Sequence, residues 1–216
     1  FFVIGRMPRP DFRPADLATT KIGTVSEVPT PWLCLQDDIR RDGADPDSVP
    51  RVSINTMAEN AAALRAGTLE AVQVFQPYAE DLLASGAGHL WYAAADRGLC
   101  AYTTLVTRRT VLTTRRAELL AMVRGMHRTL QWLHATPGIE VQRTLASYFP
   151  DVPQALFAGA IDRYKALGLY GPSPITQPAG VARLAAAMRS GGALKRDIPF
   201  EEVVDNSLAE QVVAEP

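Results

Sequence analysis

The spacing of apolar residues changes along this chain, and that change predicts two parts. A short apolar run over residues 1–5 (FFVIG) reads as a buried strand. Residues 6–14 (RMPRPDFRP) hold three prolines and predict an extended connector, with a brief helical turn over 14–17. A strand over 21–26 follows, then a tight loop over 27–30 and a helix that opens at Pro31 and stops at Gly43. Thr30 stands where a helix cap belongs. Helical spacing turns Trp32, Leu33, Leu35 and Ile39 inward and Asp37, Asp38, Arg40 and Arg41 outward to solvent. After a turn-rich stretch over 44–50, a strand over 51–55 leads to a helix over 56–67. Thr56 and Glu59 have the spacing of a capping box there. The alternation in 70–75 (EAVQVF) predicts a strand, 77–85 a short helix and 89–94 a further strand. Strands alternating with helices through short loops predict a parallel, doubly wound sheet. Residues 101–106 are again extended. Beyond them the period becomes helical: 118–134, then 139–148, 153–167 and 179–189, with a tail of a turn, a short helix and a loose end. The α/β part thus runs to about Leu99, and the helical part starts near Arg108.

In such a sheet the loops after successive strands gather at one carboxyl edge, where open α/β sheets bind ligands. Three loops qualify: 26–32, 55–56 and 76–78. They bring Ser26, Glu27, Thr30, Trp32, Asn55, Thr56, Gln76 and Tyr78 to a common rim. Aromatic walls with a few polar hooks suit a small organic ligand. The helix opening at Pro31 adds free amide donors and a positive dipole end.

Charge and composition narrow the function. The 216 residues carry a net charge of −1, which gives no general attraction to nucleic acid. No apolar run approaches the roughly 18 residues a membrane helix needs. Cys34 and Cys100 make no metal-ligand pattern; free thiols are expected, with a bridge left open for an exported protein. Of the histidines, His127 and His134 sit seven apart on one helix face and His89 lies elsewhere. Two ligands are too few for a closed zinc site. No nucleophile elbow, phosphate loop or dinucleotide fingerprint is present. The expectation is no catalytic residue, no metal and no cofactor. The chain opens in mid-strand without Met or a signal peptide, which predicts that sequence precedes it.

Residues 21–49 (KIGTVSEVPTPWLCLQDDIRRDGADPDSV) and 55–80 (NTMAENAAALRAGTLEAVQVFQPYAE) carry a resemblance. In order and spacing they resemble the nitrate/sulfonate/taurine and thiamin-pyrimidine solute-binding proteins of ABC importers. The resemblance implies an α/β fold of the type II periplasmic-binding-protein kind. Two lobes, with parallel or mixed sheets flanked by helices, close on a ligand. Residues 13–99 would form the middle lobe. Residues 1–12 and 100–216 would supply a remnant of the first lobe, the crossover strands and the C-terminal helices, with no counterpart for the N-terminal part of that lobe. It further implies a periplasmic or extracytoplasmic receptor that is not an enzyme. Such a receptor captures a small-molecule solute and passes it to an ABC transporter permease in the membrane, with no nucleic acid involved.

Carried over by position, the family's contacts fall on Ser26, Glu27, Thr30, Trp32, Gln76 and Tyr78, and Tyr102 opens the return strand. Sulfonate and nitrate binders place small hydroxylic residues where Glu27 stands, and a carboxylate repels an oxyanion. Gln76 replaces the family's common acid. The resemblance therefore favours a neutral or cationic heterocycle, such as a pyrimidine, over an oxyanion. Trp32 or Tyr78 would stack on its ring or pack in the lobe core. The alternatives are an oxyanion binder, or a thiamin-pyrimidine biosynthetic enzyme. The enzyme needs a site rich in histidine and cysteine, and no histidine adjoins Cys34 or Cys100.

Overall fold

In the computed structural model, which describes residues 1–215, five short strands make one sheet. They are β1 (Phe2–Gly5), β2 (Ile22–Gly23), β3 (Arg51–Val52), β4 (Ala71–Val74) and β5 (His89–Ala93), in the order β3-β2-β4-β1-β5. β2 runs parallel to β3 and β4, whereas β1 runs antiparallel to both of its neighbours, β4 and β5. The parallel sheet expected from strand–helix alternation is thus a mixed one. β1 is buried along its whole length, so its apolar run reads the same in either direction and carries no sign of its polarity. β1 is an interior strand of this sheet, between β4 and β5.

Alternation along β1 feeds two cores. Phe2 and Ile4 face Ala61, Leu64, Val72, Val74, Ala79 and Leu82. Val3 faces Leu17, Ile22, Leu35, Ile39 and Ala71. Helix α1 (Thr30–Arg41) covers the second face, and α2 (Met57–Arg65) and α3 (Tyr78–Ala84) cover the first. The expected strands over 21–26 and 51–55 pair regularly for only two residues each, though Thr24 N–H still donates to the Val52 carbonyl at 2.9 Å. Past Gly23 the chain leaves the ladder for the loop described below.

The helical part follows as expected: α4 (Arg109–Thr114), α5 (Arg116–Ala135), α6 (Gly138–Leu145), α7 (Gln154–Ala166), α8 (Pro178–Ser190), α9 (Phe200–Val203) and α10 (Ser207–Val213). The expected loose end reaches Pro216, which lies outside the described residues. Two of these helices return to the sheet layers. α7 sets Arg163 on Glu80 of α3, with Nε 2.5 Å from Oε2, and stacks Tyr164 on Phe2. α8 runs beside α1, where Arg40 donates to the Ser190 carbonyl at 2.9 Å.

Candidate functional site

The loop after β2 is held at three points by buried amide side chains. Gln73 of β4, fully buried, accepts from Val25 N–H (3.4 Å) and donates to the Pro31 carbonyl (2.8 Å), so it spans both ends of the loop. Asn60 of α2, also fully buried, donates to the Thr24 carbonyl at 3.1 Å. Arg51 donates from Nε to Thr24 Oγ1 at 2.8 Å. Gln73 is partnered at both ends of its amide and Asn60 at its Nδ2, with Asn60 Oδ1 left without a partner, so the two amides fix where this loop can lie. Neither was singled out from sequence. The signal available was a glutamine inside an otherwise apolar strand, and alternation suggested that it faced water.

On this frame the predicted rim residues converge in two groups. In the first, Ser26 Oγ donates to the Asn55 carbonyl at 2.7 Å, and Glu27 Oε1 accepts from Met57 N–H at 2.8 Å. The capping box of α2 is present: Thr56 N–H donates to Glu59 Oε2 (2.7 Å) and Glu59 N–H to Thr56 Oγ1 (3.2 Å). Met57 Sδ then accepts from Phe75 N–H at 3.4 Å, which brings the end of β4, and Gln76 with it, beside this cluster. In the second group, the Tyr102 hydroxyl lies in polar contact with the Thr30 side chain. Thr30 is the first residue of α1 and Pro29 its N-cap, so the capping role expected for Thr30 is not formed.

Glu27 therefore takes the place an anion would take at the N-terminus of α2. Burial works against its charge. The N–H groups of Met57, Glu27 and Ser26, with the Ser26 hydroxyl, outweigh that cost and hold its carboxyl below the usual range. A lowered acid stabilises the fold above its ordinary value of 4.5, and that stability is lost as pH falls through the lowered value. We expect NMR titration of the Glu27 carboxyl carbon to show a midpoint below 4.5. A midpoint at or above it contradicts the seating on Met57.

Gln76 uses its Oε1 to accept from Glu80 N–H at 2.9 Å, whereas its buried Nε2 has no partner. Trp32 and Tyr78 are half-buried and pack on the two cores. The Arg51 guanidinium lies 4.3 Å from the Trp32 ring centre, so that face is taken by a cation.

A second polar cluster lies at the other end of α1. Asp37 and Asp38, expected on a solvated face, are only 5% and 9% exposed. The chain after β5 lays Arg97 over them. Arg97 donates from one terminal nitrogen to Asp37 Oδ2 at 3.3 Å, and Arg41 reaches the same oxygen from Nε at 2.8 Å. Arg97 Nε sits 2.7 Å from Asp38 Oδ1 but is not aligned as a hydrogen bond, so that contact is ionic. Tyr92 O–H donates to Asp38 Oδ2 at 3.0 Å. Burial pushes the Asp38 carboxyl above its usual range against the pull of Arg97. A cavity of about 280 Å³ borders this network, and one of about 500 Å³ lies under the 8–10 connector beside His89. Both are away from the rim.

The histidines adjoin neither cluster. His89 starts β5; His127 and His134 on α5 contact Gln131 and the Gly171 carbonyl. Among the described residues no three His, Cys, Asp or Glu side chains group as metal ligands.

Residues 11–146 match the NMT1-like family. YtlA of Bacillus subtilis (strain 168), named as a candidate binding protein, is 26% identical over 159 residues, which are 73% of this chain and 48% of YtlA. The chain thus spans about half the length of that curated relative. Among solved structures, the alkanesulfonate-binding protein SsuA from Xanthomonas axonopodis pv. citri, bound to MOPS, superposes with a TM-score of 0.61 at 15% identity, over 98% of this chain and 68% of that one. The periplasmic aliphatic sulphonate-binding protein SsuA from Escherichia coli gives 0.71 at 15% identity, over 94% and 64%. The desulfurization enzyme DSZB gives 0.56 at 13% identity, over 98% and 75%. At such identities the likeness is one of fold, and the fold class expected from sequence is the one found: that of periplasmic binding proteins, with a mixed sheet flanked by helices.

Proposed function

This chain belongs to the NMT1-like family, and from that footing we propose that it is the substrate-binding component of an ABC-type importer. It works outside the cytoplasm, captures a small organic solute and hands it to the permease. Its solute is a neutral or cationic nitrogen heterocycle of the aminopyrimidine kind. The rim of Ser26, Glu27, Thr30, Asn55, Thr56, Gln76 and Tyr102 is the proposed contact surface, with Trp32 and Tyr78 as its apolar backing. Residues 13–99 together with β1 form one lobe, and the remainder from residue 100 contributes to the other. Closure is a hinge motion in residues 1–14 and 99–107.

The observation that carries the ligand class is the seating of Glu27 on the α2 N-terminus. Helix N-termini hold anions; this one already holds a carboxylate of its own. An incoming sulfonate would have to displace it or approach it against charge repulsion. A ring bearing an amino group instead finds an acceptor in Glu27, and its ring nitrogen finds a donor in the unpartnered Gln76 Nε2. The reading as a receptor and not an enzyme draws on the separation of all three histidines from this rim. The fold by itself leaves the choice open, because an enzyme shares it.

Unbiased identification is the fitting experiment. The intact protein is purified from its native host, denatured, and the released small molecules are identified by mass spectrometry. A nitrogen heterocycle at stoichiometric yield is the expected result. Stoichiometric recovery of a sulfonate overturns the ligand class, and conversion of the released compound by the native protein overturns the receptor reading.

A further inference from the structure

The segment that follows β5 runs back along α1 and meets it once per turn. Asp38, Cys34 and Thr30 are spaced by four, so they share one face of the helix. Arg97 meets Asp38, and Tyr102 meets Thr30. Between these two rungs the Cys100 thiol lies in contact with the Cys34 thiol. α8 holds the segment from outside: Arg183 Nε donates to the Leu99 carbonyl (3.0 Å), and Ala101 N–H donates to the Gly180 carbonyl (3.1 Å). Both cysteines are free, Cys34 buried and Cys100 open to solvent.

We propose that Cys34 and Cys100 form a dithiol pair that closes to a disulfide in an oxidising compartment, fixing residues 97–102 covalently to α1. The proposal goes beyond the solute reading and does not depend on which ligand binds.

The chemistry of the site suits this. Contact with Cys100 draws the Cys34 thiol down to about 7 against burial, and the Arg97 guanidinium favours the thiolate further. Contact with Cys34 pushes the Cys100 thiol up, so the charge rests on Cys34. The oxidant is an external disulfide. The exposed Cys100 sulfur hands its proton to the neighbouring Cys34 thiolate as it attacks the external disulfide, forming a mixed disulfide, and the released thiolate then takes that proton from Cys34. The Cys34 thiolate then attacks the Cys100 sulfur, forming the internal S–S bond and releasing the second thiolate. Two electrons pass from the pair to the external disulfide, and the two cysteine protons end on the released thiols. With the middle rung closed, Tyr102 stays beside Thr30, so the bond holds one side of the rim in place.

The test uses the intact protein and oxidised glutathione. Non-reducing peptide mapping is expected to show Cys34 linked to Cys100, with no free thiol after denaturation and no retained glutathione. The Cys34→Ser variant is expected to keep glutathione on Cys100, which shows that the external disulfide reaches that sulfur. The urea midpoint of the oxidised wild type is expected to exceed that of the reduced form, because a bridge across 66 residues restricts the unfolded chain. A stable glutathione adduct on wild-type Cys100, an intermolecular dimer, two unreacted thiols, or a lower midpoint after oxidation each overturns the proposal.

Discussion

Replacing Arg97 with leucine is expected to lower the unfolding free energy by about 3–5 kcal/mol, the usual cost of removing one partner from a buried ionic group. The Arg97 side chain is 5% exposed, and those of Asp37 and Asp38 are 7% and 9%. Arg41 remains on Asp37 after the substitution, but Asp38 keeps only the Tyr92 hydroxyl. The loss is read as a fall in the urea midpoint at unchanged slope. Removing the charge as well, in Arg97→Leu with Asp38→Leu, should cost less than Arg97→Leu alone, since no buried carboxylate is then stranded. The sign with pH follows from Asp38. Its carboxyl is already raised above its ordinary 3.8, so its contribution is fully present below that value and is lost as pH rises through the folded value. Without Arg97 the folded value rises further. The deficit of Arg97→Leu is therefore largest near neutrality and narrows as the pH falls toward 3.8. A variant as stable as the wild type at neutral pH would mean that these aspartates are solvated after all.

Gly23→Val is expected to destabilise by about 3 kcal/mol, combining overpacking with a lost buried hydrogen bond. A Cβ on Gly23 would stand 2.2 Å from Asn60 Oδ1 and 2.7 Å from Leu69 Cδ1. Asn60 is the residue that ties α2 to the Thr24 carbonyl. Pushing it aside releases the loop bearing Ser26 and Glu27, so solute affinity should fall along with stability. A glycine inside a strand often marks such a close approach. If Gly23→Val keeps its urea midpoint, the approach of α2 to β2 is looser than described.

The local features of this fold were legible in the chain. The capping box at Thr56 and Glu59, the helical spacing in α1 and the long helix α5 depend on neighbours within a few residues. What escaped depends on residues far apart. Asp37 and Asp38 carry the pattern of a solvated face, and their partner Arg97 stands about 60 positions later in an unremarkable loop. β1 is apolar on both faces, so neither its direction nor its place between β4 and β5 was written in its alternation. Gln73 looked like the outward residue of a half-exposed strand, whereas α1 covers that face and uses the amide as a clamp. For the rim, the convergence of Ser26, Glu27, Asn55 and Thr56 followed from strand order alone. The inward packing of Trp32 followed from helical spacing; that of Tyr78 did not, because a large aromatic reads alike as a ligand wall and as core.

The Glu27 carboxylate already sits at the α2 N-terminus, where an anionic ligand would bind. Titration calorimetry of the intact protein against two panels tests it most directly: aminopyrimidines on one side, and taurine, alkanesulfonates and nitrate on the other. An aminopyrimidine is expected to bind at least about tenfold more tightly than any of the anions, a difference of about 1.4 kcal/mol. Tighter binding of taurine, a sulfonate or nitrate would contradict it.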